Sequence, residues 1–105
     1  MRDAFQFVDV GDNDFYEADG AYTHVILKNG SKVLVSKKLK FFEDILANRK
    51  IFFRPHRSYL INVNYIKKYL KGEGTLMMDN NSALSLSRDR KQEFESVLKE
   101  LNLAL

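Results

Sequence analysis

The sequence contains no cysteine and no tryptophan, and Pro55 is its only proline. Without cysteine the chain can form neither a disulfide nor a cysteine-ligated zinc site, and a reducing cytoplasm is compatible with this composition. No apolar run approaches the roughly 20 residues that a helix needs to cross a bilayer. The start of the chain also lacks the basic, apolar and small-residue sections of a signal peptide. We therefore expect a soluble, cytoplasmic protein.

The residue patterns that mark common catalytic and metal sites are missing as well. The two histidines, His24 and His56, lie far apart in the sequence and do not have the spacing of metal ligands. The chain has neither a glycine-rich phosphate loop nor the sharp turn that carries the nucleophile of an α/β-hydrolase. We expect no catalytic residue, no metal and no cofactor, and hence a protein that is not an enzyme.

The length and the aromatic content indicate one mostly β domain. A chain of 105 residues fits a single domain, since domains of about 100–150 residues are the commonest size. Eight Phe and five Tyr favour strands, because aromatic side chains pack well on a pleated surface. We therefore expect one domain that spans residues 1–105.

The charges are distributed unevenly along the chain. The net charge is +3, yet residues 1–20 contain six acids and one basic residue, Arg2. Residues 45–72 contain seven basic residues and no acid. This pattern predicts one surface that attracts polyanions. A charged, solvated surface without a partner accounts for the charge pattern equally well.

Short runs of β-forming residues, separated by turn signals, predict a series of strands. Residues 5–10 have the composition of a strand. Residues 22–27 and Lys32–Val35 flank the dipeptide Asn29-Gly30, which between two such runs is a strong hairpin signal. We predict a β-hairpin here with a type I′ turn.

The middle of the chain predicts a helix and then a long strand. Ser36 stands at the N-cap position of a helix over residues 37–48. Apolar residues recur at helical spacing in this segment: Leu39, Phe42, Ile45 and Leu46. Residues 52–63 predict one strand, which either starts after Pro55 or lies at a sheet edge there, because proline cannot donate a ladder hydrogen bond.

The last third of the chain predicts a hairpin, a strand and a helix. Residues 65–70 and Thr75–Met78 form the hairpin, and residues 83–86 form the last strand. The final helix begins at Ser87. Its apolar face consists of Phe94, Val97, Leu98 and Leu101.

The stretch 54–59, Arg-Pro-His-Arg-Ser-Tyr, contains groups that bind phosphates and base edges. The guanidinium fork can take a phosphate, or O6 and N7 of a guanine together. Alternatively, His56 satisfies a buried carbonyl and only the arginines face solvent, and for His56 we favour this structural interpretation. We predict that Arg57 is functional.

Two further groups could meet a polyanion. Thr23 and His24 follow the turn signal Asp19-Gly20 and could reach a base edge or a phosphate, although by themselves they are a weak signal. The first turn of the last helix contains Arg88, Arg90 and Lys91. Positive charge at a helix N-terminus opposes the helix dipole by several tenths of a kcal/mol, and a bound anion would relieve that cost.

Taken together, four segments resemble the LytTR family, the DNA-binding output domain of many bacterial two-component response regulators. They are 16–23 (Tyr-Glu-Ala-Asp-Gly-Ala-Tyr-Thr), 33–36 (Val-Leu-Val-Ser) with Leu39, 53–62 (Phe-Arg-Pro-His-Arg-Ser-Tyr-Leu-Ile-Asn), and 86–88 (Leu-Ser-Arg). The segments occur in the family's order and spacing and cover nearly the whole chain. The third segment is the most specific.

The resemblance implies a fold of small, mostly antiparallel β-sheets in an elongated arrangement with short helices, here ending in an amphipathic C-terminal helix. It implies sequence-specific binding of double-stranded DNA by loops inserted into the major groove, and monomers that pair on direct repeats in promoters. Asn62 would hold the turn after its strand. The DNA-binding positions implied for this chain are Thr23, His24, Arg54, His56, Arg57, Arg88, Arg90 and Lys91.

The chain departs from the family pattern at three places. Asn13 and Asp14 stand where the family usually has apolar residues, so we expect the following strand to start late. Asp89 interrupts a cluster that is often fully basic. The chain also begins where the family's first strand should have passed, which predicts a fragment of a longer regulator with a receiver or sensor domain upstream.

Two other functions remain compatible with the residues. A β-rich protein-interaction module would explain the phenylalanine content but not the acid-free basic segment. A binder of single-stranded nucleic acid or RNA would use aromatic residues beside basic ones to stack bases.

Overall fold

The computed structural model describes residues 13–103. Eight strands and two α-helices are present in this range, and the mostly β fold class predicted from the sequence is confirmed. The elements are β1 (Phe15–Asp19), β2 (Tyr22–Ile26), β3 (Lys32–Val35), α1 (Leu39–Ile45), β4 (Phe52–His56), β5 (Tyr59–Asn62), β6 (Ile66–Leu70), β7 (Thr75–Met78), β8 (Ala83–Ser85) and α2 (Lys91–Glu100). Short 3-10 helices lie at Val63–Tyr65, Lys71–Glu73 and Arg88–Arg90.

The strands form two antiparallel sheets. The first sheet has the order β3-β2-β1-β5-β4, and the second has the order β6-β7-β8. The fold is elongated, with principal extents of 51 × 24 × 24 Å. The predicted strand over residues 5–10 lies outside the described residues.

The first sheet is buried on both faces. Phe15 and Ile26 contribute to the larger core, which continues through Leu76 and Met78 of the second sheet to Phe94 of α2. Tyr16 and Val25, their neighbours along the strands, point to the other face and pack against α1. This alternation follows from the two-residue period of a strand, and it places α1 on one side of the first sheet and the second sheet with α2 on the other side.

The hairpin between β2 and β3 is confirmed, but the predicted type I′ turn is wrong. The Leu27 amide donates to the Ser31 carbonyl at 2.8 Å, and the Gly30 amide donates to the Leu27 carbonyl at 2.9 Å. The loop therefore has three residues, with Gly30 at φ +91° and no positive φ at Asn29. Asn29 Oδ1 accepts from the Ser31 amide at 2.9 Å, which stabilises the longer loop in place of the two-residue turn.

The first helix is shorter than the predicted 37–48, and Ser36 is not its N-cap. Helix α1 begins at Leu39 after Lys38, whose backbone is extended (φ −71°, ψ 158°) and which makes no side-chain cap bond. The Thr23 hydroxyl donates to the Lys37 carbonyl at 2.7 Å, which holds this segment against the sheet. Leu46 is the last buried apolar residue of this segment, and residues 47–50 are exposed. Further helical turns would therefore bury no apolar side chain against the sheet.

The predicted single strand over residues 52–63 is wrong, because it is a hairpin. Strands β4 and β5 pair antiparallel, with His56 opposite Tyr59, and the chain reverses at Arg57 and Ser58. The alternative that Pro55 lies at a sheet edge is confirmed, since β4 is the outer strand of the first sheet.

The last predicted hairpin and helix are confirmed, with changes at their ends. Helix α2 begins at Lys91, preceded by the 3-10 helix Arg88–Arg90, and Ser87 makes no side-chain cap bond. The Tyr69 hydroxyl donates to Glu95 at 2.7 Å. Burial, together with this bond, raises the pKa of Tyr69 to about 12. Asn62 Oδ1 accepts from the Asn64 amide at 3.0 Å, which confirms its predicted structural role.

Strand β1 begins late, at Phe15, but the two polar residues before it are buried. The Asp14 amide donates to the Ile26 carbonyl at 2.9 Å, and its carbonyl accepts from the Asn62 amide at 3.1 Å. The side chain is buried, and its Oδ1 has no hydrogen-bond partner among the residues that the structure describes. Burial, and secondarily the Asp79 carboxylate, raises the pKa of Asp14 to about 6.

Replacing this carboxyl should stabilise the domain at neutral pH. A raised pKa in the folded state means that folding favours the protonated acid, so its contribution is present at low pH and is lost as the pH rises through about 6. We expect Asp14→Asn to raise the free energy of unfolding on the order of 2 kcal/mol at pH 7. The gain should vanish near pH 4 when urea unfolding is compared at the two pH values. An equal gain at both would contradict this assignment.

Candidate nucleic-acid interface

The turn between β4 and β5 is closed by a histidine side chain. His56 Nδ1 accepts a hydrogen bond from the Ser58 amide at 3.1 Å. The imidazole also packs beside the Tyr59 ring, with 5.7 Å between the centroids. His56 therefore forms a hydrogen bond with the backbone, as the structural interpretation predicts. Its partner, however, is an amide and not the predicted carbonyl.

Arg57 lies at the apex of this turn and is exposed. Its guanidinium has no hydrogen bond or ion pair with any other residue between 13 and 103. The backbone of the next residue is fixed to the sheet, because the Ser58 carbonyl accepts a hydrogen bond from the Ala18 amide of β1 at 2.8 Å. The free cation is thus presented by a backbone that is attached to the middle of the sheet.

Two of the predicted DNA-binding arginines form ion pairs within the protein. Arg54 Nη1 forms an ion pair with Glu43 at 2.7 Å, and the arginine side chain is 24% exposed. Arg90 Nη1 forms an ion pair with Glu93 at 2.6 Å. The Arg90 guanidinium also lies 4.8 Å from the centre of the Phe53 ring.

The other two basic residues near the last helix differ from Arg90. Arg88 is exposed and Lys91 is half-buried, and neither side chain makes a hydrogen bond or ion pair with another residue in the described range. A polar cleft of about 330 Å³ separates the turn from the 3-10 helix Arg88–Arg90. Its lining consists of Glu43, Arg54, His56, Arg57, Ser87, Asp89 and Arg90. The structure thus brings together the two basic clusters, which are about thirty residues apart in the sequence.

Thr23 and His24 do not belong to this cleft. Thr23 is fully buried, and its hydroxyl donates a hydrogen bond to the Lys37 carbonyl. His24 Nε2 lies 2.9 Å from Asp19 Oδ2, and the imidazole is about one-third exposed, at 30%. Thr23 has a structural position on the α1 side of the sheet, whereas His24 is accessible near the β1–β2 turn.

Glu43 is the site residue that the sequence analysis missed. It lies on α1, next to the buried Phe42, and reaches across to Arg54 of β4. No spacing rule links a helix residue to a strand residue eleven positions later, so only the tertiary packing reveals the pair. Among residues 13–103 there is no cluster of three or more side chains suited to holding a metal ion.

Comparison with known families identifies the domain. Residues 3–99 match the model of the LytTr DNA-binding domain. The chain belongs to this family. It is therefore a DNA-binding domain, and its family is not an enzyme family. No curated protein matches the chain, and none of the described helices is long and apolar enough to cross a bilayer.

A solved structure supports the LytTr fold. The chain is similar to the LytTr DNA-binding domain of a response regulator from Bacillus cereus, with a TM-score of 0.72 and 30% sequence identity. The alignment covers 87% of this chain and 84% of that one.

The position of Thr23 in this LytTr domain can be tested by removing its hydroxyl. We expect Thr23→Val to lower the free energy of unfolding by about 1–2 kcal/mol, because the Lys37 carbonyl loses its buried partner. Urea unfolding measures this loss. The salt dependence of DNA binding should not change, and a variant with normal stability but impaired DNA binding would show instead that Thr23 contacts DNA.

Proposed function

We propose that this LytTr domain binds double-stranded DNA sequence-specifically, with the β4–β5 turn inserted into the major groove. The observation that carries the proposal is the guanidinium of Arg57, which has no partner among residues 13–103 and stands at the apex of a tethered turn. A planar fork without an internal partner can bond O6 and N7 of a guanine together, and this pair of acceptors is displayed in the major groove.

Arg88 and Lys91 have the charge and exposure required for phosphate contacts. They lie within two residues of Arg90, which lines the cleft together with Arg57, and their side chains carry no ion pair in the described part of the chain. Contacts to phosphates set the orientation of a protein on the duplex and carry no sequence information of their own. We assign His24 a peripheral phosphate contact beside the β1–β2 turn, where its ring is partly exposed although Nε2 lies 2.9 Å from Asp19 Oδ2.

The aromatic side chains near the cleft favour a duplex over a single strand. Stacking of unpaired bases needs exposed aromatic faces. Here Phe53 is buried beneath the Arg90 guanidinium, and Tyr59 is half-buried beside His56. Arg57 and Arg88 remain exposed, and as cations they are suited to backbone and groove contacts.

The similarity to a response-regulator domain supports a proposal for the cellular role of this domain. We propose that it is the output domain of a cytoplasmic transcriptional regulator in a two-component system. A receiver or sensor domain would precede it in a longer protein, and monomers would pair on direct repeats in promoter DNA.

A salt titration separates base readout from phosphate contact. The probe is a duplex selected by the domain from a random-sequence pool, compared with a scrambled duplex of the same composition. We expect Arg57→Ala to weaken binding to the selected duplex by about 10- to 100-fold, since a bidentate base contact contributes about 1–3 kcal/mol of discrimination. Binding to the scrambled duplex should fall much less.

Lys91→Ala should behave differently. It should weaken binding to both duplexes equally and reduce the slope of log Kobs against log salt by about 0.9, the effect of one phosphate contact. Lys99→Ala is the matched control, because Lys99 is an exposed lysine in the last turn of the same helix. Equal affinity of the unmodified domain for both duplexes would refute sequence-specific binding.

A further inference from the structure

We propose that Arg54, Glu43 and His56 are positioning residues that fix the peptide group at the apex of the binding turn, and that none of the three needs to contact DNA. This inference rests on the proposed function of Arg57. It differs from the interpretation of the sequence pattern, in which Arg54 and His56 face the DNA.

Both ends of one peptide group are held by side chains. Arg54 Nη2 donates to the Arg57 carbonyl at 2.7 Å, and the Ser58 amide donates to His56 Nδ1 at 3.1 Å. That carbonyl and that amide belong to the same planar peptide unit. Its orientation sets ψ of Arg57 and φ of Ser58, and therefore the direction in which the Arg57 side chain leaves the turn.

The Arg54 side chain is itself fixed. One arm of its guanidinium binds Glu43 of α1 at 2.7 Å, while the other arm holds the Arg57 carbonyl. Its Nε is buried and makes no hydrogen bond within the described part of the chain. A guanidinium divided in this way between a carboxylate and a carbonyl has little capacity left for a bidentate contact with a base or a phosphate.

Strand β4, which contains Arg54, is hydrogen-bonded to the segment around the 3-10 helix Arg88–Arg90. The Arg54 carbonyl accepts from Arg90 Nε at 3.1 Å, and the Pro55 carbonyl accepts from the Ser87 amide at 2.8 Å. Residue Arg88 follows directly. The turn that carries Arg57 and the 3-10 helix that carries Arg88 are therefore held in one frame across the cleft.

The negative charge of Glu43 makes the inference testable. Electrostatics alone predicts that removing an acid beside a DNA-binding surface strengthens binding to every duplex. Positioning predicts that discrimination between duplexes falls, because the charge-assisted hydrogen bond that holds Arg54 becomes a weaker neutral one. The two accounts therefore predict different changes in the ratio of affinities.

The central variant is Glu43→Gln, which keeps the side-chain size. We expect the ratio of affinities for the selected and scrambled duplexes to fall by about tenfold. On the scrambled duplex the slope of log Kobs against log salt should rise by up to about 0.9, because Arg54 is released to meet a phosphate. Asp44→Asn is the control: it removes a neighbouring exposed acid, paired with Lys40 on the same helix, and should leave discrimination unchanged. Tighter binding of Glu43→Gln to both duplexes with unchanged discrimination would overturn the inference.

A second set of variants tests the other tether. Asn places its Oδ1 close to the position of His Nδ1 and can accept the amide two residues later, as in an Asx-turn. We expect His56→Asn to keep discrimination within about threefold, and His56→Gln and His56→Ala to reduce it about tenfold. Loss of discrimination in His56→Asn equal to that in His56→Ala would show that the imidazole contacts DNA directly.

These outcomes can be distinguished from failure of the proposed function. If the unmodified domain does not prefer the selected duplex, the proposed function fails. If it does, and Arg57→Ala loses that preference while Glu43→Gln and His56→Gln keep it, the positioning inference alone fails. Thermal unfolding of each variant establishes that the comparison is made between folded proteins.

Discussion

The antiparallel pairing of β5 with both β1 and β4 is the constraint on which the rest of the structure depends. Leu60 of β5 packs toward α1, and the next residue, Ile61, packs toward the second sheet. The same strand leads directly out of the turn that carries Arg57. Because β5 packs against both cores, the turn at its start is held in place. A small domain can thus present a cation on a loop without a recognition helix.

The basic residues of the candidate interface fall into two groups, according to whether their side chains form ion pairs within the domain. Arg54 and Arg90 are neutralised by Glu43 and Glu93 and hold backbone carbonyl or aromatic partners. The side chains of Arg57, Arg88 and Lys91 form no ion pair with other residues between 13 and 103; Arg57 and Arg88 are exposed and Lys91 is half-buried. We therefore propose that the basic clusters of the sequence contain two kinds of residue, DNA-contacting and positioning, which internal ion pairing distinguishes.

Much of the fold could be predicted from local patterns, because strand alternation and turn residues act over a few positions. The buried pair Thr23 and Val25 lies on one face of β2, and this same alternation could have identified Thr23 as structural. The reversal at Arg57 and Ser58 contains no Gly, Asn or Asp; it is made by bonds from His56 and Arg54, so turn rules did not detect it. The link from Glu43 to Arg54 and the short α1 depend on contacts between elements, which no local period encodes.

The most direct test of the account replaces each guanine of a selected duplex with 7-deazaguanine. This change removes the N7 acceptor from the major groove and leaves the minor groove unaltered. The account predicts that one guanine per bound domain is sensitive, and that in Arg57→Ala the same replacement causes no further loss, because the two changes remove one contact. Equal sensitivity in the unmodified domain and in Arg57→Ala, or no sensitive guanine at all, would contradict major-groove readout by Arg57.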